Sequence, residues 1–167
     1  MSSLRLVRLG PEHADALLAG QDAQLAREIV GREWDRARLE EFLERVARWR
    51  EDGPLREFAA LDAATGALRG GGGLNTLAPG LEPGQAMLTY WLLAAHRGRG
   101  LGGELGAALV ERARRWGELR ELVLLIAPEN GASRAVARGL GAARVGDGTR
   151  HPADARREVE RWVLPLR

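Results

Sequence analysis

The feature that most constrains this chain is a strand that runs into a glycine-rich bend and then into a helix. Tyr90-Trp91-Leu92-Leu93 ends the strand, His96-Arg97-Gly98-Arg99-Gly100-Leu101-Gly102-Gly103 makes the bend, and the helix continues from Glu104. The glycines let several backbone N–H groups turn toward one point without side-chain obstruction, and the helix dipole adds partial positive charge there. A pyrophosphate is the guest that such a bend suits. Arg97 and Arg99 offer charge-assisted, bidentate hydrogen bonds to its oxygens. The same residues also read as an ordinary glycine-rich connection with solvated arginines.

The pattern on either side predicts a mixed α/β or α+β layer fold. Leu4, Leu6 and Leu9 interleave with Arg5 and Arg8 as a first strand, and Gly10-Pro11 breaks it before a helix through Ala14, Leu17 and Leu18. Leu39, Phe42, Leu43, Val46 and Trp49 recur every three or four residues, which predicts an amphipathic helix over 35–50. Residues 58–62 and 67–74 read as a hairpin around Ala64-Thr65-Gly66, with Gly70 to Gly73 in its second strand. Strands are expected over 87–93 and 119–127, helices over 103–116 and 131–140, and closing strands over 142–145 and 159–164. Neither repeats nor linkers interrupt this order, so residues 1–167 are expected to form a single domain.

Composition removes several function classes. The chain has no cysteine, which excludes disulfides, thiol nucleophiles and Cys-ligated metal centres. All 25 basic residues are arginine, so a Schiff-base lysine and the P-loop lysine are absent too. The sequence pI of 10.2 suggests a nucleic-acid binder, yet the net charge is only +2. With almost nothing titrating between neutrality and the guanidinium range, a small excess of arginine drags the pI upward. The arginines are spread along the chain beside acidic residues, and no nucleic-acid partner is expected. No apolar run is long enough to span a bilayer and no secretory signal is visible, so neither a membrane association nor export is expected and a cytoplasmic location is.

Two phosphate-binding patterns fit the bend. Gly98-x-Gly100-x-x-Gly103 matches the dinucleotide fingerprint, but that fold needs further strand–helix units and an acidic residue after its second strand. Arg97-Gly98-Arg99-Gly100-Leu101-Gly102 meets the pattern R/Q-x-x-G-x-G/A, and here the sequence resembles the GNAT superfamily of acetyl-CoA-dependent N-acetyltransferases. Tyr90-Trp91-Leu92-Leu93, Pro128-Glu129-Asn130, Ser133-Arg134 and Gly139-Leu140-Gly141 resemble the branch containing ribosomal-protein N-terminal (alanine/serine) acetyltransferases. The resemblance implies a mixed, mostly antiparallel central sheet, splayed at the cofactor cleft, with helices on both faces. It also implies that acetyl-CoA lies in the cleft as cosubstrate, with no metal. Its pantetheine arm would lie along the backbone of Trp91, Leu92 and Leu93. Its pyrophosphate would lie on the amides of Gly98, Arg99, Gly100, Leu101, Gly102 and Gly103, with Arg97 and Arg99 nearby.

Asn130 is expected to cap the following helix and, by resemblance, to touch the pantetheine. Many relatives protonate the departing thiolate with a tyrosine whose place here is Ala137. Ser133 matches the serine of the ribosomal-protein branch and is the candidate acid; it also reads as a first-turn serine bonded to backbone. Relatives often carry a base carboxylate on the fourth strand, but Met87 and Thr89 stand at the corresponding places. Glu33, Asp35 and Glu82 are the remaining candidates, each better read as a solvated or capping charge, and His96 reads as a surface side chain. Trp49 and Trp116 fall on apolar helix faces and are expected in the core. Trp34 and Tyr90 are candidates for lining an acceptor pocket.

The activity these residues imply is direct, ternary-complex transfer of acetyl from acetyl-CoA to a primary amine. A protein or peptide N-terminus is the first choice of acceptor, with an aminoglycoside, polyamine or amino acid as the alternative. A CoA-binding module without turnover is a further reading, and a homodimer is a plausible assembly.

Overall fold

A computed structural model describes residues 2–29, 33–152 and 154–167. Among these residues seven strands form one sheet in the order β1-β2-β3-β4-β5-β7-β6. They are β1 (Leu4–Arg8), β2 (Leu55–Asp62), β3 (Leu68–Asn75), β4 (Gln85–Leu92), β5 (Glu121–Ile126), β6 (Ala143–His151) and β7 (Asp154–Pro165). Every neighbouring pair is antiparallel except β4 and β5, which are parallel. Helices α1 (Ala14–Gly20), α2 (Ala23–Ile29) and α3 (Arg36–Val46) precede β2, α4 (Leu101–Arg114) follows β4, and α5 (Gly131–Leu140) follows β5. None of the described helices is long and apolar enough to cross a membrane.

Side-chain alternation along the strands builds two cores. Phe58 and Ala60 on β2, with Ala86 and Leu88 on β4, pack against Leu105 and Leu109 of α4 and Ala137 of α5. Ala59 and Trp91, on the opposite face of the same strands, pack against Leu17 of α1 and Leu39 and Leu43 of α3. The sheet is therefore covered on both sides, as the resemblance implied.

The elements differ from expectation in their extents. Helix α3 stops at Val46, because Trp49 turns inward to meet Phe58 edge-on at 5.4 Å and gives its Nε1–H to the Glu57 carbonyl at 2.9 Å. Arg8 donates to the carbonyls left open at Ala47 and Trp49. Helix α4 begins at Leu101, inside the glycine run, since Gly102 lies against Val136 of α5 and can tolerate that approach. Strands β6 and β7 are far longer than the segments 142–145 and 159–164. They form a hairpin with shifted register whose first strand is exposed almost throughout.

Candidate active site

The parallel pair β4–β5 holds together for only three register positions, Gln85↔Glu121, Ala86↔Leu122 and Met87↔Val123. Beyond Met87, β5 runs on with β7 to Ile126↔Glu160 while β4 stays with β3 to Gly70↔Leu92. The sheet splits at this point. Residues 88–92 of β4 border the split without a ladder partner from β5, and the glycine bend lies at its end.

After β4 the chain makes a 3-10 turn over Ala94–His96 and reaches Gly98 (φ +75°) and Gly100 (φ +77°) in the left-handed region. Gly100 is the N-cap of α4 and supplies no side chain to its first turn. Among the described residues, the amides of 98–103 find no acceptor within the protein. A Cβ at Gly98, Gly100 or Gly103 would meet nothing within 4 Å. The result is a run of amides without an internal acceptor at a helix N-terminus, where backbone N–H groups and the helix dipole favour an anion.

The two arginines of the bend behave differently. Arg97 gives Nη1 to Asp22 Oδ2 at 2.6 Å and Nη2 to Asp22 Oδ1 at 3.1 Å, with a further contact to Gln24 at 3.2 Å. That fork ties the bend to the start of α2. Arg99 is exposed and makes no ion pair among the described residues. His96, expected on the surface, is half-buried and receives Arg69 Nη1 at 2.8 Å on its Nδ1. Burial lowers its pKa, and the charges of Arg69 and Arg99 lower it further, so the ring stays neutral and can accept. Arg69 is itself anchored by Asp62 at 3.0 Å; backbone N–H from Thr65, and then Arg69, hold that carboxyl down to about 2.

On the α5 side of the split, Asn130 Oδ1 accepts the Ser133 N–H at 3.0 Å and so caps α5. Tyr90 donates its phenol to Ser133 Oγ at 3.1 Å. Two hydroxyls from β4 and α5 thus meet on this side of the split, while Ala137 is buried in the core. This pairing was not legible beforehand, because Tyr90 and Ser133 read as separate candidates.

On the opposite face a cleft of about 190 Å³ is lined by Leu9, Leu17, Trp34, Leu39, Phe42, Glu57 and the Thr89 to Trp91 segment of β4. Trp34 packs against Phe42 at 5.0 Å, and its Nε1–H is buried with no partner among the described residues. Leaving such a donor unpaired costs about 1–3 kcal/mol, so it marks a place where an acceptor from outside would be stabilised. Among the described residues Glu57 is the one carboxylate lining this cleft. Burial pushes its carboxyl up to about 7. Sequence reading missed it because the hairpin was begun at Phe58. The usable signal was its place two residues before Ala59 on the same strand face, opposite a glycine.

The other acid candidates are engaged or remote. Asp35 caps α3 by accepting the Arg38 N–H at 3.0 Å, while Glu33 and Glu82 are exposed and outside the cleft's lining. A larger cleft of about 440 Å³ lies at the far end of α4, where Trp49, Arg56 and Trp116 meet. The 14-residue α4 separates it from the bend by about 20 Å, so it cannot share a small reacting group with the glycine loop. Trp49 and Trp116 are only partly buried, packed against the core and lining that cleft.

A family model described as an acetyltransferase (GNAT) domain matches residues 3–143. The chain belongs to the GNAT acetyltransferase family. No curated protein matches this GNAT chain. Among solved structures, a putative ribosomal-protein-serine acetyltransferase from Vibrio cholerae is 22% identical, with TM-score 0.80 over 99% of this chain and 95% of its own. The Vibrio cholerae spermidine N-acetyltransferase, solved with CoA and spermine, is 17% identical, with TM-score 0.78 over 98% and 96%. The Salmonella typhimurium acetyltransferase that modifies the N-terminal serine of ribosomal protein L7/L12 is 19% identical, with TM-score 0.78 over 99% and 96%. At these identities the likeness establishes the fold. It joins both acceptor classes to one architecture.

Proposed function

We propose that this acetyltransferase moves the acetyl group of acetyl-CoA directly onto a primary amine, and that its acceptor is the free N-terminus of a protein or peptide. The observation that carries the donor is the bare amide cradle at residues 98–103, set at the end of the split between β4 and β5. The amides of Gly98, Arg99, Gly100, Leu101, Gly102 and Gly103 take the pyrophosphate, and the unpaired edge of β4 at Trp91 and Leu92, continuing to Leu93, takes the pantetheine arm. Arg99 supplies phosphate charge. Arg97, already neutralised by Asp22, fixes the shape of the bend. Asn130 closes the cleft from α5, and the Tyr90–Ser133 pair is positioned to protonate the departing thiolate.

The acceptor reading rests on the cleft over Glu57. Its aromatic walls, single carboxylate and unpaired Trp34 N–H suit an amine that has a carbonyl one carbon away, as an α-amine does. A polyamine carries no acceptor for that indole and brings distant ammonium groups for which the cleft, among the described residues, offers no second carboxylate. Its volume, about 190 Å³, accommodates one small residue. The test is thiol release from acetyl-CoA across peptides with N-terminal serine or alanine, spermidine and an aminoglycoside. Turnover is expected with the peptides, and preference for spermidine would overturn the acceptor assignment. Melting shifts produced by CoA but no thiol release with any amine would leave a CoA-binding module without turnover, while a shift with NAD alone would remove the donor assignment as well.

A further inference from the structure

Direct transfer requires a base for the amine, and β4 supplies no carboxylate: Met87 is buried and Thr89 is a hydroxyl. We infer that Glu57 of β2 is the general base, delivered to the reacting end of β4 across a strand whose side chain is missing at Gly73. This inference rests on the acetyl-transfer reading above and adds a catalytic residue to it.

The register makes the argument. Glu57 pairs with Gly73, and Gly73 pairs with Thr89, so the three lie in one row across β2, β3 and β4 with their side-chain positions on one face. The Glu57 carboxyl group lies over Gly73; a Cβ there would be 2.5 Å from Glu57 Cδ. Any other residue at 73 would occupy the space that the carboxylate now crosses. The carboxylate therefore lines the same cleft as Thr89 and the indole of Trp34.

No cation among the described residues competes for it. Among the described residues Glu57 makes no ion pair. Arg8 of β1 is committed to the Ala47 and Trp49 carbonyls, and Arg45 of α3 lies over the Phe42 ring at 5.6 Å. Arg56, its chain neighbour, stacks on Trp116 at 3.6 Å in the remote cleft. From β4 the one titratable lining group is Tyr90, whose phenol is given to Ser133. Burial alone thus sets the carboxyl near 7, which balances the fraction present as base against its strength at neutral pH.

The step balances as follows. The neutral amine nitrogen adds to the thioester carbonyl carbon, forming the C–N bond, and Glu57 removes the proton that the nitrogen can no longer hold. Collapse of the adduct breaks the C–S bond, and the thiolate takes a proton from the Tyr90–Ser133 pair. The proton on Glu57 passes through solvent to restore that pair, leaving amide and free thiol.

Glu57→Gln keeps the shape and removes the base. Its kcat with the best peptide acceptor is expected to fall roughly 100-fold or more, with the CoA-induced melting shift unchanged and the rising limb of kcat near pH 7 gone. Glu57→Asp is expected to recover part of the rate and the limb. Gly73→Ala is expected to displace the carboxylate and lower kcat at unchanged CoA stabilisation. A separate readout needs no turnover. Because the folded-state pKa is raised, wild-type stability falls as pH rises from about 4.5 through about 7, so the melting advantage of Glu57→Gln over wild type must grow across that window. Retention of kcat within about threefold in Glu57→Gln, or a pH limb that survives it, overturns the base while leaving acetyl transfer intact. A wild-type chain whose thiol release is raised by none of the amines overturns both.

Discussion

Two glycine-rich segments stand on either side of β4, and they use the same residue for opposite purposes. In β3, Gly70 to Gly73 are extended and crowded: a Cβ at Gly71 would lie 2.5 Å from the Phe58 carbonyl, and one at Gly72 2.6 Å from Leu109 Cδ1. In the bend, Gly98 and Gly100 adopt positive φ and a Cβ there would touch nothing. The strand uses missing side chains to let its neighbours Trp91, Leu109 and Glu57 cross over it. The bend uses them to expose amides. One set is filled from within the protein; the other is left open for a guest.

The sharpest way to break this contrast is to add a methyl group on the crowded side. Gly72→Ala must move the Thr89 carbonyl oxygen or Leu109, and overpacking of this kind is expected to cost about 3 kcal/mol, read from urea denaturation. A cost near zero would show that β3 has slack and that its glycines are not there for their neighbours. In the bend, Gly100→Glu places a charged side chain at the left-handed N-cap. The unliganded protein should lose about 1–2 kcal/mol. Stabilisation by saturating CoA, about 2.7 kcal/mol at 100 times Kd, should vanish. An undiminished CoA melting shift would mean that the diphosphate lies elsewhere.

The sequence made the bend legible because its glycines, arginines and flanking elements are contiguous. The strand glycines were visible as letters, but their purpose was not, since it depends on what residues 57, 89 and 91 do in register with them. The same limit hid Glu57, whose role comes from a partner on the next strand, and the Arg97–Asp22 fork, whose partners are 75 residues apart. Helix α2 is no shorter than α1 but, unlike it, follows no Gly-Pro break that announces its start. It is set by Asp22 accepting the Leu25 N–H at 2.9 Å and by burial of Leu25 and Ala26, and neither leaves a periodic trace. The β6–β7 hairpin lacked its trace for another reason. Its first strand is solvated on both faces, so no alternation of apolar and polar residues announces it.

The mildest change probes the boundary between the two uses. Gly103 sits in the first turn of α4 with open space where a Cβ would go, and its backbone does not need glycine. Alanine there removes unfolded-state freedom and favours the helix, so the unliganded protein should gain about 0.5 kcal/mol. The amide of residue 103 is kept, and the added methyl group enters open space beside it. If the cradle must let a diphosphate approach its backbone closely, CoA-induced stabilisation should shrink even as the protein itself becomes more stable, and calorimetric titration beside a melting curve separates the two. If stability and CoA affinity both rise, the amides alone define the site. The requirement for glycine then narrows to the left-handed positions 98 and 100.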